Sequence, residues 1–292
     1  MVFDMSAIRA TNALLVRPKE ARVKNFCTEV DTAVLKTKKL PPSHSSRLVG
    51  KFGFLCDTMF GRVGRAGTGA LRARQYELHS DSSLTPAILA GLGWCKAAAT
   101  CSPPRELRLS QDGSNPVLLW TDASEEPNRA IGRHIVGAVV FSPSPPCLLY
   151  TGVVVPEEVV HRWLPKKNHI GQLEIFGGTL ALDTWPDLLR DQPVIHFVDN
   201  DSATASLIKG YSPQVDSAKI VGDFWLRAAR LKCFIYIDRV ESKSNISDGP
   251  SRLDFTELEL LGAKWTPPNG SLFSEPPPGE DPFRWFTSGS VG

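Results

Sequence analysis

The sequence is poor in the features that mark secreted, membrane-spanning and zinc-finger proteins. None of its six cysteines stands in a CxxC pair or near histidines at zinc-site spacing, so neither a disulfide framework nor a zinc motif is predicted. The longest apolar stretch, residues 84–100, is broken by Pro86, by glycines and by Lys96, and is too short for a membrane span. The first ten residues lack a basic flank followed by an unbroken apolar core, so no signal peptide is predicted. We expect reduced thiols, a cytoplasmic or nuclear location and no membrane partner.

Charge is distributed unevenly along the chain. The 292 residues are 42% hydrophobic and 22% charged, which is typical of folded proteins and leaves room for two modest domains. The first 80 residues contain 14 Lys or Arg and six acids, hence roughly +8, so a net charge of +2 leaves about −6 for the remainder. A basic segment beside an acidic body suits a polyanionic partner, and a merely solvated basic surface is the alternative.

Residues 1–104 are predicted to form a mainly helical arm. Helical patterns occupy residues 21–40, 46–75 and 84–99, and Pro103-Pro104 ends the last of them. The middle pattern is the clearest, because its apolar residues recur at intervals of three and four and so share one helix face, namely Leu48, Phe52, Leu55, Met59 and Val63.

From residue 115 to residue 264 the pattern changes to that of an α/β domain. Short β-rich runs at 116–123, 134–141 and 147–155 are followed by a helix at 168–185, a strand at 194–198, helices at 202–209 and 214–230, and a strand at 233–237. The first three strands can pair as an antiparallel meander, whereas the later two need helical crossovers. This order predicts a mixed five-stranded sheet flanked by helices. The Pro/Gly-rich tail, residues 265–292, is predicted to be disordered.

Four acids stand where such a sheet would bring them together. Asp122 and Asp199 end strands, Glu174 lies on the first helix, and Asp248 follows the last strand. Each alone could be a turn, cap or surface acid, but four crowded carboxylates repel one another unless divalent cations neutralise them. Hard oxygen ligands favour Mg²⁺, for which Mn²⁺ can substitute. Two such ions about 3.5–4 Å apart can clamp the attacking water and the leaving oxygen of a phosphodiester displacement.

The segments around these acids resemble one family. TDAS at 121–124, IGQLE at 170–174, FVDN at 197–200 and SNISDGPSR at 244–252 together resemble the ribonuclease H region of retroelement reverse transcriptases, and most closely that of tyrosine-recombinase-type retrotransposons. The resemblance implies a ribonuclease H-like fold and two-metal hydrolysis of the RNA strand of RNA–DNA hybrids. It also implies that all four acids are catalytic metal ligands. Asp122 and Asp199 would be shared by both ions, Glu174 would serve the ion near the leaving group, and Asp248 the ion at the attacking water.

Other residues are predicted to support substrate binding or to lie outside the site. Phosphate or minor-groove contacts are expected from Ser124, Gln172, Asn200, Asn245, Arg62 and Arg65. Asp201 is interpreted as a helix cap or surface acid, and surface positions are favoured over proton-shuttle roles for His161 and His169. The loop at 239–247 lacks the histidine that assists product release in cellular ribonucleases H, although Lys243 offers a cation there.

The arm resembles the end of a reverse transcriptase. Residues 48–55 and 61–65 resemble thumb helices, and 91–108 the connection to ribonuclease H. No paired polymerase aspartates occur there, so no polymerase activity is expected, and the chain would be part or remnant of a polyprotein whose polymerase domains are missing. A catalytically inactive nucleic-acid-binding remnant is the alternative function. Exonucleases of the same superfold carry a second acid two residues after the first, where this chain has Ser124, and integrases order their acids differently.

Overall fold

The computed structural model describes residues 1–6, 8–77, 81–109, 115–126 and 133–273. The strands are β1 (Val2–Asp4), β2 (Ala13–Arg17), β3 (Arg105–Arg108), β4 (Val117–Glu125), β5 (His134–Pro143), β6 (Pro146–Val154), β7 (Pro193–Val198), β8 (Phe234–Arg239) and β9 (Lys264–Trp265). The α-helices are α1 (Ile8–Thr11), α2 (Glu20–Glu29), α3 (Pro42–Cys56), α4 (Thr68–Arg74), α5 (Pro86–Cys101), α6 (Glu157–Val160), α7 (Ile170–Thr184), α8 (Pro186–Leu189), α9 (Asp201–Lys209), α10 (Val215–Arg230), α11 (Asp248–Ser251) and α12 (Thr256–Leu260). None of the helices in these ranges is long and apolar enough to cross a membrane.

The chain divides into two compact units. Of the described residues, the first unit comprises 1–6, 8–77, 81–109 and 209–229, and the second comprises 115–126, 133–208 and 230–273. Sequence patterns had assigned residues 214–230 to the second domain. Most of α10 instead groups with the first unit, where Gly222 packs so closely that a Cβ there would lie 2.7 Å from the Trp94 ring.

The first unit contains a small sheet besides its helices. Strands β1, β2 and β3 pair antiparallel in that order, so the prediction of a mainly helical arm omitted this sheet. A single helix at 46–75 is also wrong, because α3 ends at Cys56 and a 3₁₀ helix, Val63–Gly67, precedes α4. The break contains Gly61, whose φ of +54° favours glycine and whose Cβ would meet the Trp225 ring at 2.8 Å.

The second unit is a mixed α/β fold around a six-stranded sheet of order β8-β7-β4-β5-β6-β9. Strands β4, β5 and β6 form the expected antiparallel meander, and β7 and β8 are parallel to β4. The sixth strand, β9, pairs parallel with β6 and was missed because it is only two residues long. It begins a segment that was predicted to be disordered. Residues 265–273 instead adopt defined structure ending in a 3₁₀ helix, Gly270–Phe273, and residues 274–292 lie outside the described chain.

Helix α7 packs against β4 and β5 along almost its whole length, with eleven buried residues. Gly177 makes this close approach possible, because a Cβ there would lie 3.1 Å from the Thr121 Cβ and 3.2 Å from Val136. A glycine within a helix costs helix propensity, and the close approach to the sheet is what this glycine makes possible. The helix therefore presents its side chains to the sheet at short range.

A second close contact joins β5 to α11. Gly137 lies opposite Asp122 in the β4–β5 ladder, and a Cβ there would stand 2.3 Å from the Ser251 amide nitrogen and 2.6 Å from the Pro250 carbonyl carbon. Because both atoms belong to backbone, Gly137→Ala should lower the free energy of unfolding by about 1–3 kcal/mol and displace α11. Urea unfolding measures the change.

A matched control for Gly137→Ala is Gly93→Ala. Gly93 is an exposed residue of α5 whose Cβ would meet nothing within 4 Å. Its replacement should stabilise the protein by about 0.5–1 kcal/mol through helix propensity. Equal urea midpoints for Gly137→Ala and the wild type would contradict the close packing of α11 on β5.

Candidate functional site

Three acids from three elements converge beside the parallel strands β4 and β7 of the six-stranded sheet. Asp122 belongs to β4, Glu174 to α7, and Asp199 follows β7 directly. Because β4 and β7 are parallel neighbours, with Thr121 opposite Val198, the residues that follow emerge side by side. One carboxylate oxygen of each acid lies within 4.8 Å of the other two. Asp122 and Glu174 are only 5% and 3% exposed, whereas Asp199 is half-buried at the opening of the cluster.

Burial and mutual repulsion make this cluster costly when it is ionised. Burial, with smaller contributions from the charges of Asp199 and Asp248, raises the pKa of Asp122 to about 6, although a hydrogen bond from the Ser251 hydroxyl opposes the shift. The pKa of Glu174 is raised well above its ordinary value, first by burial and then by Asp122 and Asp199. The Glu174 Oε2 atom has no hydrogen-bond partner among the described residues. An unpartnered, buried carboxylate oxygen beside two further acids is suited to a cation.

Asp248, the fourth predicted ligand, stands apart from the other three. It begins α11 with a side chain that is 52% exposed, and its Oδ1 atom lies 3.0 Å from Arg252 Nη2. It is absent from the group whose oxygens lie within 4.8 Å, although its charge still raises the pKa of Asp122. The expectation of four converging acids is therefore met by three. The Asp248 carboxylate instead forms an ion pair with Arg252, four residues further along the chain.

A network of hydroxyl and amide groups fixes α11 beside Asp122. The Ser251 hydroxyl donates to Asp122 Oδ2, and the Ser124 hydroxyl donates to the Ser251 carbonyl oxygen. Asn245 Nδ2 donates to the Thr121 carbonyl oxygen at 3.2 Å, and the Ser247 hydroxyl donates to Asn245 Oδ1 at 2.6 Å. Ser124 and Asn245 are buried, so the structure shows them positioning α11, whereas their predicted contact with substrate stays a prediction. Ser251 was missed by sequence reasoning although it lies within the motif at 244–252.

The remaining predicted contacts fall in different places. Asn200, not Asp201, caps α9, since its Oδ1 atom accepts from the Ala203 amide at 3.0 Å. Asp201 is an exposed acid that pairs with Arg239. Gln172 is buried on α7. The two arginines, Arg62 and Arg65, belong to the first unit.

Both predicted phosphate-binding arginines have charged neighbours within the first unit. Arg65 Nη2 lies 3.7 Å from Asp57 Oδ1. Burial, followed by the charges of Arg65 and Arg105, lowers the pKa of Arg62. Substrate contacts by Gln172, Asn200, Arg62 and Arg65 stay predictions.

The two histidines near α7 differ from each other. His161 is 78% exposed, as sequence reasoning had favoured. His169 is buried, so its interpretation as a surface residue is wrong. It lies directly before α7, close to the polar side chains of Glu125 and His134.

A cavity of about 280 Å³ opens beside Asp248. The 3₁₀ helix Ser242–Ser244 and α11 line it, and Lys243 and Arg252 contribute two cationic side chains. Lys243 therefore stands near the fourth acid.

No family model and no curated protein match this sequence. A similar solved structure is the N-terminal ribonuclease H domain of Rv2228c from Mycobacterium tuberculosis, determined as a fusion with maltose-binding protein. The alignment has 14% sequence identity and a TM-score of 0.36, and it covers 50% of this chain and 98% of that chain. A likeness at this level does not assign a function, which has to follow from the site of this chain.

Proposed function

We propose that this protein is a divalent-cation-dependent phosphodiesterase that cuts the RNA strand of RNA–DNA hybrids. The carrying observation is the convergence of Asp122, Glu174 and Asp199 within 4.8 Å, with two of the three buried and raised in pKa. Such a cluster is unfavourable by itself and becomes favourable when cations neutralise it.

The donor set fits Mg²⁺, with Mn²⁺ as a substitute. All three side chains offer carboxylate oxygens, which are the ligands of hard cations, and no imidazole or thiolate belongs to this group. Glu174 Oε2, which has no partner in the described ranges, supplies a buried ligand position. Asp248 and the half-buried Asp199 face the open side, where a second ion would complete the two-ion arrangement that we propose.

The residues of the chain divide the chemical work. Bound divalent ions supply Lewis-acid stabilisation of the phosphate and lower the pKa of a ligating water. Asp122 and Asp199 hold the site from two adjacent strands, and Glu174 closes it from the helix below. The Ser251 hydroxyl orients Asp122 and favours its ionised form. No side-chain nucleophile is needed, since water attacks.

The choice of an RNA–DNA hybrid rests on the motif resemblance and on charge at the rim. Lys243 and Arg252 line the cavity beside Asp248, where they can neutralise backbone phosphates without reading sequence. The 2′-hydroxyls in a wide minor groove distinguish the RNA strand from DNA. We therefore expect low sequence specificity and an affinity that falls with salt.

The origin of the chain in a retroelement polyprotein is part of the same proposal. It is supported by the four motifs around the acids and by the thumb-like patterns of the arm. Polymerase domains on the same polyprotein would then be its partners, and the chain itself would not polymerise.

The test is cleavage of a hybrid whose RNA strand carries an end label. With Mg²⁺ the full chain should produce internal cuts in that RNA, and leave the DNA strand, duplex DNA and duplex RNA intact. A chelator should stop cleavage, Mn²⁺ should restore it, and Asp122→Asn should remain inactive while still binding hybrid. Cleavage that persists in the chelator or in Asp122→Asn would refute the proposal.

One observation favours a second candidate, a catalytically inactive nucleic-acid-binding protein. The ion pair between Asp248 and Arg252 occupies the fourth carboxylate. If that pair persists with substrate, hybrid binding without any cleavage in Mg²⁺ or Mn²⁺ is the expected result. The same labelled hybrid, measured for retention on the protein, distinguishes the two functions.

A further inference from the structure

A second polar cluster lies beside the three acids but is separate from them. Glu125 ends β4, His134 begins β5 directly opposite it, and His169 precedes α7. One ligand atom of each of the three lies within 4.8 Å of the other two. The side chain of Glu125 is only 4% exposed and that of His134 only 3%, and His169 is buried as well. The spacing of cysteines and histidines predicts no zinc motif. This group is not visible as a motif in the sequence because its three residues come from separate elements.

Three of the four histidine ring nitrogens in this cluster make no hydrogen bond within the described residues. Neither ring nitrogen of His134 makes a hydrogen bond within the part of the chain that is described, and the same holds for Nδ1 of His169. Buried polar atoms normally have partners. His134 Nδ1 has the Glu157 carboxylate 3.2 Å away, so His134 Nε2 and His169 Nδ1 are the two buried nitrogens that require an explanation. His134 Nε2 stands 3.5 Å from Glu125 Oε1, which directs it toward the carboxylate.

We propose that Glu125, His134 and His169 form a second metal site, specific for a transition-metal cation of the zinc type. Two imidazoles and one carboxylate make up a ligand set that zinc accepts, whereas the all-oxygen group of Asp122, Glu174 and Asp199 suits Mg²⁺. The inference does not depend on the proposed nuclease activity. It concerns a different set of ligands and a different class of ion.

The surroundings of the cluster orient the histidines as metal ligands require. His134 Nδ1 lies 3.2 Å from Glu157 Oε1, and His169 Nε2 lies 3.3 Å from the Leu164 carbonyl oxygen. Metal-bound histidines commonly donate their other ring N–H to a carboxylate or a backbone carbonyl. This arrangement leaves His134 Nε2 and His169 Nδ1 to bind the ion.

Glu125 keeps a free position for the ion despite its other contacts. Its Oε1 atom accepts from Arg133 at 2.8 Å, and its Oε2 atom accepts from the His169 backbone amide at 2.7 Å. A carboxylate has about four lone-pair positions, so these two bonds orient it without saturating it. Arg133 balances the charge of Glu125 when no ion is bound.

The proposed ion would fasten the start of α7 to the β4–β5 hairpin. Asp122 lies three residues before Glu125 on β4, and Glu174 lies five residues after His169 on α7. Both elements that carry the buried acids are thus joined at the second cluster. The proposed ion would have a positioning role, because its ligands join the elements that carry Asp122 and Glu174 and do not belong to the three-acid cluster.

Zinc uptake by the full-length protein tests the site. Metal-free protein, titrated with Zn²⁺ against a chromophoric chelator in excess Mg²⁺, should bind one ion at the site and gain thermal stability. His134→Gln and His169→Gln should each weaken that binding at least about 100-fold, and Glu157→Gln about 10–100-fold, as expected for an outer partner. Asp122→Asn should bind zinc normally even though cleavage is lost. His44→Gln, a histidine of the first unit, is the matched control.

A spectroscopic measurement on the wild type guards against variants that fail to fold. Co²⁺ in place of Zn²⁺ should give visible d–d absorption typical of a four- or five-coordinate site, and Zn²⁺ should displace it. Zinc affinity that is equal in the wild type, His134→Gln and His169→Gln, or the absence of cobalt absorption, would overturn the proposal. The cluster would then be a structural hydrogen-bonding group only.

Discussion

Replacing Glu174 with glutamine should lower Mg²⁺-dependent hybrid cleavage by at least about 1000-fold while leaving the fold intact. Glutamine keeps the shape of the side chain but removes the negative charge with which Glu174, together with Asp122 and Asp199, would bind the cation. A bound ion contributes several kcal/mol to the transition state, and each 1.36 kcal/mol corresponds to a tenfold change in rate. Single-turnover cleavage of the labelled hybrid measures the loss.

The same substitution should raise the melting temperature of the protein in a chelator at neutral pH. Glu174 is 3% exposed and its pKa is raised by burial and by two neighbouring acids, so its ionised form destabilises the metal-free fold. Loss of activity together with a gain in stability is characteristic of a residue kept for function. Replacement of a residue with a purely structural role would instead lower both activity and stability.

Two further variants give the Glu174→Gln result its scale. Glu158→Gln removes an exposed acid and should leave both cleavage and melting unchanged. Asp248→Asn should reduce cleavage by about 10–100-fold, corresponding to about 1.4–2.7 kcal/mol, because Asp248 is half exposed and already paired with Arg252. If Glu174→Gln cleaves as well as Glu158→Gln, the three-acid cluster is not catalytic.

The sequence predicted the elements around the acids better than the elements around α11. Strand alternation and helical periodicity located β4, α7 and β7, and parallel pairing then brings Asp122 and Asp199 to one edge. Asp248 was harder, because its direction depends on an ion pair with Arg252 and on the packing of Pro250 and Ser251 against Gly137. Such contacts have no periodic signature.

The second cluster shows a different limit of sequence reasoning. Glu125, His134 and His169 lie nine and 35 residues apart along the chain, so no local metal motif exists. Two of the three come together through the ladder pairing of β4 with β5, and the third through the docking of α7. Position opposite a glutamate in a hairpin was the one available signal for His134. Likewise, the two-residue strand β9 is too short to predict by alternation.

Without divalent ions, the advantage of Asp122→Asn over the wild type should grow as pH rises. Burial raises the folded-state pKa of Asp122 from 3.8 to about 6, so between these values the folded state holds more protons than the unfolded state. The stability that Asp122 contributes is therefore complete below pH 3.8 and is lost as pH rises through about 6. A shift of this size corresponds to on the order of 3 kcal/mol, which Asp122→Asn should not lose.

Urea unfolding of both proteins in a chelator, at intervals across that pH window, measures the difference directly. Comparing the pair removes the contribution of carboxylates elsewhere, such as Glu29 and Asp254, whose pKa values are lowered and which act in the opposite direction. Excess Mg²⁺ should restore the wild type above pH 6, because the ion binds the ionised carboxylates of the folded state, and should do much less for Asp122→Asn. A difference that stays constant with pH, or an equal response of both proteins to Mg²⁺, would show that the charge of Asp122 is neither penalised by the fold nor relieved by a cation.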